Sequence, residues 1–299
     1  MSSLVQSAGR QLRNTFGDDA LSWFDRSYAS DWVVATVAWG ISLWIKLLPP
    51  FERDFNADDP LINHKHRPNQ ISGNTNMIVA MGVPFVVVIV LGTLTASAMH
   101  IHHGLLSLYS GSGFTALITE ALKNRVGQPD FLHRCKWIES ISACSGNLDK
   151  VQDGRRSFPS GHSSEVFAGM TFLSLFLASI TGAWLFRHSS PGRAFTSSRL
   201  ARLFVTLLPI AYAVWVAVSR VEDYRHHKED VIVGSLLGAL TAGTCYLIYW
   251  PNPFTVQDHS AVRHLSRPRH VYGELSGTRT VADDYGYELA NVERAEATV

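Results

Sequence analysis

Two short blocks hold the groups with which this chain can handle a phosphate. One is Phe158-Pro159-Ser160-Gly161-His162; the other is Ser219-Arg220 followed by His226 and Asp230. A helix starting after Ser160 would present free backbone N–H groups and a positive dipole end, both suited to an anion. Gly161 lets the backbone approach a ligand with no Cβ in the way. His162 then stands where it can protonate a leaving oxygen. Arg220 offers a planar fork matched to two phosphate oxygens. His226 and Asp230 are four residues apart, so in the first turn of a helix they share one face. A carboxylate there accepts the proton of one ring nitrogen and leaves the other as a nucleophile. Lys123 is a further phosphate contact.

Each of these residues alone has an ordinary explanation. A Pro-Ser-Gly turn with an interfacial histidine is common, and a lysine or arginine at a membrane surface often just snorkels. A histidine and an aspartate at that spacing also make a surface pair or half of a metal site. A metal would want further carboxylates or cysteines converging nearby, and the sequence places none there clearly. No metal and no other cofactor is therefore expected. What favours chemistry is position: each block opens or closes a long apolar run.

Residues 77–99 contain no charged side chain, and a helix needs about 20 apolar residues to cross a bilayer. Comparable runs occupy roughly 31–50, 104–122, 162–186, 202–220 and 231–250. They predict an all-α bundle of six transmembrane helices with the active site at one membrane face. Ser107, Ser110, Gly111, Ser112 and Gly113 dilute the third run, as suits a helix packed among others. The mean hydropathy of +0.05 conceals this segregation, as does the 46% hydrophobic content of the 299 residues. A single soluble helical domain would not need so many uncharged runs. The formal charge is +1, and no nucleic-acid partner is expected.

Residues 1–30 read as a polar lead, 31–251 as the membrane domain, and 252–299 as a largely disordered polar tail. No cleavable signal peptide is visible, so the first span acts as an uncleaved anchor. Arg187, Arg193, Arg199 and Arg202 mark an acid-free loop as cytoplasmic, and both termini with it. Lys136, Lys150, Arg155 and Arg156 argue the other way for the 124–159 loop, unless its bases bind substrate. Parity then places Lys123, His162 and the 219–230 block together on the lumenal face. The His100–His103 cluster falls on the opposite face and is assigned no chemistry. Three cysteines are too few for a disulfide scaffold. Cys245 packs in the last span, whereas Cys135 and Cys144 share one loop and can pair if it is lumenal.

With these motifs the chain resembles the type 2 phosphatidic acid phosphatase superfamily, particularly its fungal lipid phosphate phosphatases and diacylglycerol pyrophosphate phosphatases. That family's pattern reads Lys-x6-Arg-Pro, Pro-Ser-Gly-His and Ser-Arg-x5-His-x3-Asp. The second part lies at Pro159 to His162, and the third at Ser219-Arg220, His226 and Asp230 with its spacing intact. Pro50 to Phe55 and Asp59-Pro60 are similar to the family's first lumenal loop. The resemblance implies a metal-independent phosphohistidine mechanism on lipid phosphates such as phosphatidic acid or diacylglycerol pyrophosphate. It makes His226 the nucleophile, Asp230 its orienting acid and His162 the proton donor. Lys123, Ser160, Gly161 and Arg220 then hold the non-bridging oxygens, in the membrane of the ER, Golgi or vacuole. The first motif departs from the pattern: Lys123 to Phe131 runs two residues short and has Asp130 where the arginine belongs. Arg125, Arg134 and Arg155 are the substitutes to consider. The gap leaves a weakly active or non-catalytic lipid-phosphate-binding regulator as the alternative.

Overall fold

Apolar runs become long helices here, and local signals stop them. In a computed structural model, the chain is described at residues 15–16, 21–54, 59, 62, 67–129, 136–138, 140, 143–145, 147–185, 198–255 and 268–272. Helix α1, Ser27–Leu47, ends at an extended Leu48 ahead of Pro49. Helix α2, Gly73–Leu94, is capped by the Ser72 hydroxyl and contains a π turn at Ile78–Gly82. Pro84 follows that turn after Val83, where its missing N–H is easily tolerated. Helix α3, Ala98–Val126, starts on a Ser97 cap and ends at Gly127 in the left-handed region. A short α4, Leu148–Asp153, precedes α5, Gly161–Thr181; α6 is Arg199–Glu222 and α7 is Lys228–Tyr249. Among the described residues the all-helical expectation has one local exception, a hairpin of β1 (Lys136–Ile138) and β2 (Ala143–Ser145) in the loop before α4.

Four of these helices, α2, α5, α6 and α7, are long and apolar enough to cross a membrane. The six-span expectation also included α1 and α3, which have 21 and 29 residues; they fall outside the four, α3 being the helix diluted by small polar residues. Large apolar side chains such as Ile78, Leu94, Phe204, Trp215 and Leu240 remain exposed on the outer wall, as lipid-facing residues do. Helix α5 is the hub: 61% of its apolar window is buried, against 22–33% for the other three.

Close approach to α5 depends on glycine. A Cβ on Gly234 or Gly238 of α7 would lie 2.6 Å and 2.2 Å from the carbonyl oxygens of Ser160 and Ser164. These small residues let the backbones touch, the usual device of membrane bundles. Hydroxyl pairs reinforce the seams: Thr119 donates to Ser164 at 3.0 Å, and Thr115 meets Thr241. Val88, Leu106, Phe172, Phe176 and Trp250 fill the core toward the other end.

At that other end His103 Nε2 lies 3.1 Å from Tyr28 Oη, and Tyr249 donates to Asp31. Residues 268–272 rest there, with Val271 N–H donating to Tyr28 Oη and Tyr272 donating to Asp31. His103 and Lys123 are twenty residues apart on α3, so this end is about 30 Å from the lysine at 1.5 Å per residue. Cys245 is buried and unbridged in α7. Arg134, Arg187, Arg193 and Cys135, and with Cys135 the expected pairing to Cys144, lie outside the described residues. So do most of the polar lead and the tail.

Candidate active site

Four helix ends meet at one face of the bundle: the C-terminal ends of α3 and α6, and the N-terminal ends of α5 and α7. Ser160 caps α5, its hydroxyl accepting from Ser163 N–H, while its own N–H donates to the Asp230 carbonyl at 2.9 Å. The first block is thereby fastened to the start of α7. A Cβ on Gly161 would lie 2.7 Å from Lys123 Nζ, so the ammonium sits directly over the glycine backbone. Lys123 donates to Glu120 Oε1 at 3.2 Å, and Arg156 takes the other carboxylate oxygen at 3.2 Å.

His162 has its imidazole hydrogen-bonded to the Ile71 backbone, and Arg220, His226 and Lys123 all act on it electrostatically. Its Nε2 is buried with no hydrogen-bond partner among the described residues. A buried polar atom of that kind marks the place of a ligand or a water. Arg220 is buried, donating from Nη1 to Asp223 Oδ2 at 3.3 Å and from Nη2 to Asn69 Oδ1 at 3.2 Å. Gln70 in turn donates to Asp223 through its backbone and its side chain. The loop before α2 therefore aims the guanidinium.

His226 does not lie in the first helical turn. Helix α7 starts at Lys228 with His227 as its N-cap and Asp230 at the third position. The Asp230 carboxylate accepts the His227 N–H at 3.0 Å, a capping box that fixes where the helix begins. The acid also suits the positive end of the helix dipole. His226 Nδ1 is nevertheless 3.7 Å from Asp230 Oδ2, with Ser157 beside both. The Ser157 hydroxyl donates to Asp230 Oδ2 at 2.6 Å and lies 3.4 Å from His226 Nδ1. The Nδ1 edge of the ring faces the acid, which puts Nε2 on the opposite edge.

All seven residues expected from sequence (Lys123, Ser160, Gly161, His162, Arg220, His226 and Asp230) thus come to this one face. Two of the proposed substitute arginines do not join them: Arg125 is exposed, and Arg155 bonds the Arg53 carbonyl and faces Glu52. Arg156, singled out in sequence only as one of the loop's bases, shares Glu120 with Lys123. Ser157, Asn69, Asp223 and Glu120 were missed. Ser157 and Asp223 had a signal, being polar residues next to or inside the motifs; Asn69 had none. Chemically, the arrangement sets two imidazoles, one of them backed by a carboxylate, among a lysine, an arginine and two helix N-termini. It can hold a tetrahedral anion and exchange one of its oxygens.

Comparison with known proteins places the chain in a family. The family model described as PAP2 superfamily matches residues 104–254. Lipid phosphate phosphatase 2 of Arabidopsis thaliana is 32% identical over 273 residues, covering 81% of this chain and 90% of the relative. A probable diacylglycerol pyrophosphate phosphatase 1 of Schizosaccharomyces pombe is 37% identical, covering 69% of this chain and 75% of its own. Diacylglycerol pyrophosphate phosphatase 1 of Saccharomyces cerevisiae is 33% identical over 68% of this chain and 72% of its own. No solved structure matches.

Proposed function

This chain belongs to the PAP2 superfamily, and on that premise we propose that it is a membrane-embedded phosphatase that cleaves lipid phosphates through a phosphohistidine. His226 Nε2 attacks phosphorus while Asp230, with Ser157 between, holds the other edge of the ring. The bond from phosphorus to the leaving oxygen breaks, and His162 gives that oxygen its proton. Water then attacks the phosphohistidine, His162 takes its proton, and phosphate departs. Lys123, Arg220 and the backbone around Ser160 and Gly161 hold the non-bridging oxygens and stabilise the charge that develops there.

One observation carries the reading: His162 Nε2, buried and without a partner among the described residues, in a site it shares with His226, Arg220 and Lys123. The names of the relatives support phosphatidate and diacylglycerol pyrophosphate as the substrate class. Six spans follow if α1 and α3 cross beside the four apolar helices, and their antiparallel alternation supports that count. The charge partners for phosphate here are ammonium, guanidinium and imidazole, so turnover needs no metal. The test is phosphate release from phosphatidate in excess EDTA, with acid-labile, base-stable phosphoenzyme trapped by rapid quenching. Wild type should turn over and trap label; His226→Ala should do neither. Wild-type trapping in His226→Ala, or activity lost in EDTA and restored by magnesium, would overturn the mechanism.

A further inference from the structure

Glu165 has no part in the scheme above, yet it is the one carboxylate in α5 and lies three residues after His162. A charge on a membrane-crossing helix is costly and is seldom kept without a use. Its Oε2 accepts from Asn76 Nδ2 at 3.1 Å, and the same amide nitrogen donates to the His162 carbonyl at 3.2 Å. Asn76 is fully buried, so α2 holds the catalytic histidine and the carboxylate with one side chain. A Cβ on Gly73 would lie 3.8 Å from His162 Nε2, so the imidazole also faces the first turn of α2. The Glu165 side chain is nevertheless accessible. Lys123, Lys46 and Glu120 are its charged neighbours. It therefore stands at the rim of the site, one helical turn from the group that protonates the leaving oxygen.

We propose that Glu165 is a specificity-determining residue that selects leaving groups by charge. This rests on the phosphohistidine reading, in which the bond electrons leave with the bridging oxygen and His162 supplies its proton. From a lipid phosphate monoester the departing group is a neutral glycerol hydroxyl, which a carboxylate tolerates and can accept a hydrogen bond from. From a lipid pyrophosphate it is a second, anionic phosphate, which the carboxylate repels. Glu165 accordingly shifts the ratio of the two activities toward phosphatidate.

The test compares kcat/KM for the two lipids, in mixed micelles, for wild type, Glu165→Gln and Glu165→Asp. Glutamine keeps an oxygen for the Asn76 amide and removes the charge. It should raise the pyrophosphate-to-monoester ratio by about 10-fold, the effect of removing one like-charge contact. Aspartate keeps the charge but draws it back, and should give a ratio close to wild type even if glutamine folds poorly. Equal changes on both substrates, or aspartate behaving like glutamine, would make Glu165 a structural residue and overturn the proposal alone. Wild type that releases phosphate from neither lipid, with no trapped phosphoenzyme, would overturn the mechanism and this inference with it.

Discussion

Ser157 is the residue through which the Asp230 carboxylate best reaches the proposed nucleophile. The hydroxyl lies 2.6 Å from the acid and 3.4 Å from His226 Nδ1, whereas the direct separation of acid and ring is 3.7 Å. A hydrogen bond to a charged group contributes about 1.5–3 kcal/mol. Ser157→Ala should therefore lower kcat about 10-fold or more through poorer ring orientation, with little effect on KM, in steady-state assays. An unchanged kcat would mean that Asp230 acts on His226 without it. The shortened first motif poses a second question at this scale. Glu120 divides its two oxygens between Lys123 and Arg156, and Arg156 also donates to the Leu48 carbonyl at 2.6 Å. With Arg156 removed, Glu120 would pair with Lys123 alone and draw its ammonium away from the Gly161 backbone. Arg156→Ala should raise KM for lipid phosphate about 10-fold, while Arg155→Ala, whose partners lie at Glu52 and Arg53, should stay near wild type. The reverse ranking would return the role to Arg155.

Helix placement explains why some of this was legible in sequence and some was not. Ser160, Gly161, His162, Arg220, His226 and Asp230 are readable because a helix start or end fixes neighbours over three to five residues, and local spacing records that. The apolar runs are readable for the same reason: length and lack of charge are properties of one segment. Asn69 with Arg220, Gln70 with Asp223 and Ser157 with Asp230 are separated by 151, 153 and 73 residues, and no periodicity carries such pairings. The start of α7 was misplaced because a capping box depends on one side chain bending back, which a four-residue spacing does not reveal. The same limit hid the glycine seam. Gly234 and Gly238 are four apart on α7, but their use is visible only against the Ser160 and Ser164 carbonyls. Gly238→Ala would place a Cβ 2.2 Å from one carbonyl oxygen and 2.9 Å from the Ala168 nitrogen. Backbone cannot yield as a flexible side chain does, so destabilisation of about 1–3 kcal/mol is expected. A thermal-shift assay in detergent should show a lower Tm, and phosphatase activity should fall with it because α5 carries Ser160 to His162. Gly243→Ala, with nothing within 4 Å of its Cβ, is the control and should leave both intact.

Taken whole, the molecule has two chemically different ends. One holds the proposed active site; the other gathers Tyr28, Asp31, His103 and Tyr249, with residues 268–272 laid across them. Arg202, the last base of the acid-free stretch, belongs to the second end, where it donates to the Thr181 carbonyl at the close of α5. Basic residues in two loops made orientation ambiguous in sequence, and pairing at the site end reduces the conflict. Arg156 and Lys123 share Glu120 and Arg220 meets Asp223, so these bases serve the site, while Arg155 is balanced by Glu52 away from it; all weigh less as topological signals. The second end should then be cytoplasmic and the site lumenal. In sealed, right-side-out microsomes, phosphatase activity on a water-soluble, membrane-impermeant phosphate ester should stay latent until detergent opens the vesicles. Protease added outside should meanwhile remove a tag placed after Val299. Full activity in sealed vesicles, with the tag protected, would invert the orientation. It would also make the arginine segment, rather than the bases of the site, the exception to the positive-inside rule.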